Sequence, residues 1–163
     1  MTKFILHGGA TGNPSKDNKK FFNEVKNSAK QILCIYFSRE KEKWEELLED
    51  DNKKFAFNNI VLASERDIIK QIKEADTIYL RGGDTDMLKE KLSKINLKKL
   101  IKGKTVVGSS AGAYVLSKYY YSTYKHKIGE GFGILPIKVY CHYDGDKDNL
   151  KRLEDYKEKL KTI

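Results

Sequence analysis

The sequence predicts an α/β domain with a mostly parallel sheet in three layers, helices covering both faces. Two observations predict it. Short β-branched apolar runs alternate with longer charged, amphipathic stretches, as parallel strands joined by crossover helices do. No repeat, linker or low-complexity segment interrupts the alternation, so residues 1–163 read as a single domain. A chain of this length buries about two-thirds of its unfolded surface and folds without staples.

The first strand is expected over residues 3–7, where Phe4-Ile5-Leu6 runs into the glycine turn Gly8-Gly9. The charged stretch 17–30 then reads as a helix, followed by the apolar strand 32–37 and a helix over 41–54. Within that helix the mixed charges of Glu40-Lys41-Glu42-Lys43-Trp44-Glu45-Glu46 describe a solvated face. Next come strand 59–63, helix 65–75, strand 77–80, the turn Arg81-Gly82-Gly83-Asp84-Thr85 and helix 84–95. Strand 104–108 leads into Gly108-Ser109-Ser110-Ala111-Gly112 and a helix over 111–119. Strand 137–141 and helix 147–160 close the pattern.

Composition narrows the function classes. The net charge of +9 is carried mostly by lysines interspersed with acids, and only four arginines occur, at positions 39, 66, 81 and 152. No Arg-rich cluster or zinc-finger spacing accompanies the basic balance, so nucleic acid is not an expected partner. The run from Tyr119 to Lys127, aromatic and basic, reads as a half-buried, β-prone connection. Cys34 and Cys141 sit in apolar strand-like runs without metal-ligand spacing, as buried free thiols do. The first residues pass at once into a strand without a long apolar core or cleavage site. A cytoplasmic protein without membrane contact is expected.

The chemistry-bearing signal is the segment around Ser110. A strand, a sharp turn and a helix, with glycines two before and two after the serine, form the setting of a nucleophile elbow. Glycine turns between strand and helix are also ordinary packing devices, so five residues alone do not establish it. In an open parallel sheet, ligands bind outside the carboxyl ends of the strands. His7-Gly8-Gly9, the Arg81–Thr85 turn, Ser110 and His142 all follow strands there. The plain structural role is favoured for Gly8-Gly9 and a site for Gly82-Gly83.

A serine hydroxyl needs a base, and the candidates are His7, His126 and His142. His142 is preferred because it ends a strand as Ser110 does. The amide of Ala111 and a glycine amide of Gly82 or Gly83 are the expected oxyanion donors.

Four segments in order, Phe4-Ile5-Leu6-His7-Gly8-Gly9, Ile78-Tyr79-Leu80-Arg81-Gly82-Gly83-Asp84-Thr85, Gly108-Ser109-Ser110-Ala111-Gly112-Ala113, and Gly129-Glu130-Gly131-Phe132-Gly133-Ile134-Leu135-Pro136 leading to His142-Tyr143-Asp144, resemble the peptidase E and cyanophycinase family of serine hydrolases. The resemblance implies a flavodoxin-like, class I glutamine amidotransferase-like fold, with Ser110 as nucleophile, His142 as base, and Gly82, Gly83 and Ala111 around the oxyanion. It implies hydrolysis of short peptides, dipeptides with N-terminal aspartate foremost, and no metal or organic cofactor. Arg81 stands where the family usually has a third glycine and Asp84 where it often has asparagine. Both, with Thr85, are expected to line the substrate pocket and alter its charge.

The family's histidine-orienting glutamate lies in a strand and turn beyond the last helix expected here, so this domain is expected to lack the family's C-terminal strands and that acid. Glu130 and Asp144 are the candidate replacements, with Asp146 behind them. A bared sheet edge would favour self-association, a homodimer being the expected form. Against the hydrolase stands a non-catalytic peptide- or small-ligand-binding module. Amidotransferase chemistry is disfavoured because position 110 is not cysteine.

Overall fold

A computed structural model describes all residues, Met1–Ile163. In chain order the elements are β1 (Lys3–His7), α1 (Lys16–Asn27), β2 (Ile32–Ile35), α2 (Trp44–Phe55), β3 (Ile60–Leu62), α3 (Ile68–Glu74), β4 (Thr77–Leu80), α4 (Thr85–Leu92), α5 (Leu97–Leu100), β5 (Thr105–Ser109), α6 (Ala111–Leu116), β6 (Tyr119–Ser122), β7 (Lys127–Glu130), β8 (Ile137–Val139), α7 (Lys147–Asp155) and β9 (Lys161–Thr162). A 3-10 turn at Lys41–Lys43 opens α2.

Five strands form an all-parallel sheet in the order β1-β5-β4-β2-β3. Of its three inner strands, β2 and β4 are buried along their whole length, which is why both read as continuous apolar runs and not as alternating ones. Helices surround this sheet, α1 against α2 and α4 against α6. Between α1, α2 and β4 the core is aromatic. Phe22 meets Phe55 edge-on at 5.0 Å, and Phe55 meets Tyr79 edge-on at 5.3 Å. Truncating a buried phenyl ring such as Phe55 removes about 3–5 kcal/mol. No helix is long and apolar enough to cross a membrane.

The second sheet, in the order β7-β6-β8-β9, is the main departure from expectation. β8 belongs here and not to the parallel sheet. The tyrosine run expected as a half-buried connection is the fully buried strand β6, paired antiparallel with β7. Its side chains alternate as a strand requires. Tyr120 stacks on Tyr114 at 4.5 Å toward α6, while Tyr119 and Tyr121 turn to Tyr140 and Leu153. Both faces are therefore covered.

Several helices stop earlier than periodicity suggests. α6 ends at Leu116 because the Ser117 hydroxyl donates to the Tyr114 carbonyl and also lies within bonding distance of the Tyr119 carbonyl, turning the chain into β6. α7 ends at Asp155, not at residue 160, and its last turn is met by buried Lys138, whose Nζ donates to the Glu154 carbonyl at 2.6 Å. The chain then extends beside β8, where the Ile163 amide donates to the Lys138 carbonyl. Asp84, expected inside a helix, sits just outside α4 and caps it by accepting from the amides of Asp86 and Met87.

Candidate active site

Ser110 occupies a conformation that a residue with a side chain rarely adopts, φ 49° and ψ −108°. What holds it there is close packing on either side. A Cβ on Gly112 would lie 2.1 Å from the Leu80 carbonyl oxygen, and one on Gly108 would lie 2.7 Å from the Gly112 carbonyl carbon. Helix α6 thus rests directly on β4 and β5, and the turn between must be sharp. The Ser110 amide donates to the His7 carbonyl at 3.1 Å, tying the elbow to the end of β1. Below it the buried Cys141 thiol, its pKa pushed up to about 12 by burial, is inert packing.

His142 reaches the serine from the other sheet. Its Nε2 is 3.0 Å from Ser110 Oγ. The residue lies beyond β8 with φ 55°, and its amide donates to the Gly8 carbonyl at 2.9 Å. The imidazole lies on Gly9, where a Cβ would fall 2.2 Å from Cε1. Gly8-Gly9, expected as a plain turn, is therefore also the seat of the histidine ring. His7 is committed elsewhere. Burial lowers its pKa, its Nδ1 accepts the Gly9 amide at 3.1 Å, and its ring packs on Phe21. His126 is exposed in the β6–β7 connection.

Of the expected oxyanion donors, Ala111 follows Ser110 directly and the Gly82 turn packs against it. A Cβ on Gly82 would come within 3.1 Å of Ser110 Cβ, so that turn abuts the elbow. The Asp84 amide is committed to the Ser38 carbonyl at 2.8 Å, whereas the amides of Gly82, Gly83 and Ala111 are donated to no loop carbonyl or side chain. Hydrogen-bond donors free beside a hydroxyl are what a developing oxyanion needs.

None of the three acids considered for orienting the histidine bonds to it. Glu130 is ion-paired with Lys157, Asp144 accepts the Asp146 amide at 3.1 Å, and Asp146 caps α7 through the Asn149 amide. The expectation that Glu130 or Asp144 orients His142 is corrected accordingly: each carboxylate has another partner, and the ring is exposed.

A cleft of about 730 Å³ opens over the pair and is lined mainly by polar residues, Arg81, Asp84 and Thr85 among them. The charge of Arg81 does not face a substrate, however. Its guanidinium pairs with Asp51 and Asp50 and donates to the Leu47 carbonyl, beneath the cleft. Burial pushes the Asp51 carboxyl up although Arg81 opposes it, and Tyr36 donates to Asp51 at 2.8 Å. Arg81 therefore ties the Gly82-Gly83 turn to α2. Arg39, Tyr124 and Lys125 also line the cleft and were not singled out from the sequence. For Arg39 the signal was present, because it too follows the carboxyl end of a parallel strand.

The model of peptidase family S51 matches residues 4–162. Among solved structures, a peptidase from an acI-B1 actinobacterium superposes with a TM-score of 0.67 at 24% identity, over 93% of this chain and 75% of that one. A protein named as a peptidase E from Listeria monocytogenes EGD-e gives the same TM-score of 0.67 at 19% identity, over 100% of this chain and 90% of that one. No curated protein matches. The two structures are similar in fold, and the family match spans the elbow, the glycine turn and the histidine together: the chain belongs to peptidase family S51.

Proposed function

We propose that this protein hydrolyses short peptides through an acyl-enzyme, with Ser110 as nucleophile and His142 as base. The observation that carries this is the 3.0 Å approach of His142 Nε2 to Ser110 Oγ on a strained elbow. Oγ attacks the scissile carbonyl as Nε2 takes its proton, and the carbonyl oxygen becomes an oxyanion facing Ala111 and the Gly82-Gly83 turn. The imidazolium returns that proton to the leaving amine. Water then attacks the ester, its proton again passing to Nε2, and the acid and Ser110 are released.

Nε2 accepts a proton only when Nδ1 carries the other, and no carboxylate enforces that tautomer here. In Ser-His-Asp triads, losing that support costs about 10⁴ in turnover, so slow hydrolysis is expected. Dipeptides with N-terminal aspartate head the substrate panel, a cytosolic site of action accompanies them, and self-association along the sheet edges left by β3 and β9 belongs to the same proposal.

An active-site serine probe tests the mechanism. Labelling of Ser110 that disappears in Ser110→Ala and His142→Ala supports it; peptide cleavage indifferent to both substitutions would falsify it. The exposed, acid-free His142 favours one second reading, a peptide-binding module without turnover. Peptide binding without either labelling or cleavage would select that reading.

A further inference from the structure

We propose that Arg39 binds a substrate carboxylate beside the scissile bond, an inference that rests on the peptide-binding cleft proposed above. Four cationic side chains line that cleft, and three are spent. Lys54 pairs with Asp50, Arg81 with Asp50 and Asp51, and Lys125 with Asp86. Arg39 is exposed and has no carboxylate within ion-pair distance.

It is nevertheless held in place. Its amide donates to the Tyr36 carbonyl at 2.9 Å, its carbonyl accepts Trp44 Nε1 at 2.9 Å, and its Nε donates to the Gly82 carbonyl at 3.0 Å. The side chain lies so close over the glycine turn that a Cβ on Gly83 would fall 2.6 Å from Arg39 Nε. Fixing Nε leaves the two Nη groups, whose parallel N–H bonds match the two oxygens of a carboxylate. The acids of the cleft do not compete, since Asp50 is shared by Lys54 and Arg81 and Asp84 caps α4.

Because Gly82 also abuts Ser110, a carboxylate bound by Arg39 lies on the same glycine turn that borders the attacking hydroxyl. Two groups of a short peptide answer to that position: the side chain of an aspartate whose carbonyl is attacked, or the α-carboxylate of the departing residue. The chemistry is shared, and amidation separates the sources.

The test uses the full chain and four peptides, Asp-Leu, Asn-Leu and the C-terminal amide of each. Binding is measured by calorimetry to Ser110→Ala, with and without Arg39→Gln, and hydrolysis is followed in the Ser110 protein. Expected is tighter binding of a carboxylate-bearing peptide by about ten-fold or more, lost in Arg39→Gln. Preference for Asp-Leu amide over Asn-Leu amide identifies the side chain; preference for Asn-Leu over its amide identifies the terminus. Arg39→Lys, which keeps charge without the fork, recovers part of the preference and guards against a folding defect in Arg39→Gln. Equal affinities with and without Arg39, or no binding at all, overturn the proposal. Arg39-dependent binding without hydrolysis sinks the peptidase mechanism alone, whereas hydrolysis whose selectivity ignores Arg39 sinks only the carboxylate site.

Discussion

The two halves of the candidate site are held in opposite ways. Ser110 rises from the all-parallel sheet, on a turn pinned by backbone-to-backbone contact of α6 with β4 and β5, and Ala111 to Leu116 behind it are all buried. His142 arrives on a short connection from the smaller sheet, is exposed, and is held by one hydrogen bond from its amide to the Gly8 carbonyl and by the surface of Gly9. The position of Ser110 is thus a property of a core, and that of His142 a property of a contact between two sheets. Damage to the first should register as stability, and damage to the second as activity.

The largest separation of these effects is expected from His142→Ala, which should lower turnover by about 10²-fold, since a base without an orienting acid has less left to lose, while the melting temperature stays within a few degrees. A variant that both loses activity and unfolds would break the comparison. Gly112→Ala should do the reverse. Its Cβ meets the Leu80 carbonyl, backbone that cannot yield cheaply, and a cost of about 1–3 kcal/mol is expected in chemical denaturation.

Gly9→Ala sharpens the contrast at the other end. A methyl group at φ 102° would occupy the place of the imidazole, so serine-probe labelling should fall at least ten-fold with the elbow intact. Unaltered labelling would show that the ring does not depend on Gly9.

A smaller effect concerns His7 beneath that turn. Burial lowers its pKa from the ordinary value of 6.5, so the unfolded chain binds the proton more tightly. The stability it contributes is present above pH 6.5 and lost as pH falls through the lower folded value. His7→Asn, whose Oδ1 replaces Nδ1 as acceptor for the Gly9 amide, should flatten melting temperature against pH in that window. Least of all, Glu130→Gln and Asp144→Asn should leave kcat within about two-fold, because neither carboxylate bonds to His142. A hundred-fold loss in either would restore an orienting acid to the mechanism.

The parallel sheet was legible because its central strands β2 and β4 are buried on both faces and read as unbroken apolar runs; β1 and β4 stand where expected, at Lys3–His7 and Thr77–Leu80. Of the second sheet only β8 was legible, as the strand expected over 137–141. Its strands are two to four residues long, and in β6 tyrosine carries hydroxyls into buried positions, blurring the hydrophobic pattern on which strand prediction rests. Among the site residues, Ser110 was marked by its glycine flanks, whereas the destination of Arg81 was invisible, since nothing local distinguishes a guanidinium facing a cleft from one turned onto Asp51.

Sequence alone determined what is local: a strand, sharp turn and helix around Ser110, a histidine following a strand, and glycine turns that admit close backbone approach, because each depends on sterics within a few residues. Tertiary structure alone decided which groups meet. That His142 comes from a different sheet and rests on Gly9, that the nearby carboxylates are occupied, and that Arg39 keeps its charge free are outcomes of packing between segments far apart in the chain. Partner choice there is settled by burial and competition, which no short stretch of sequence encodes.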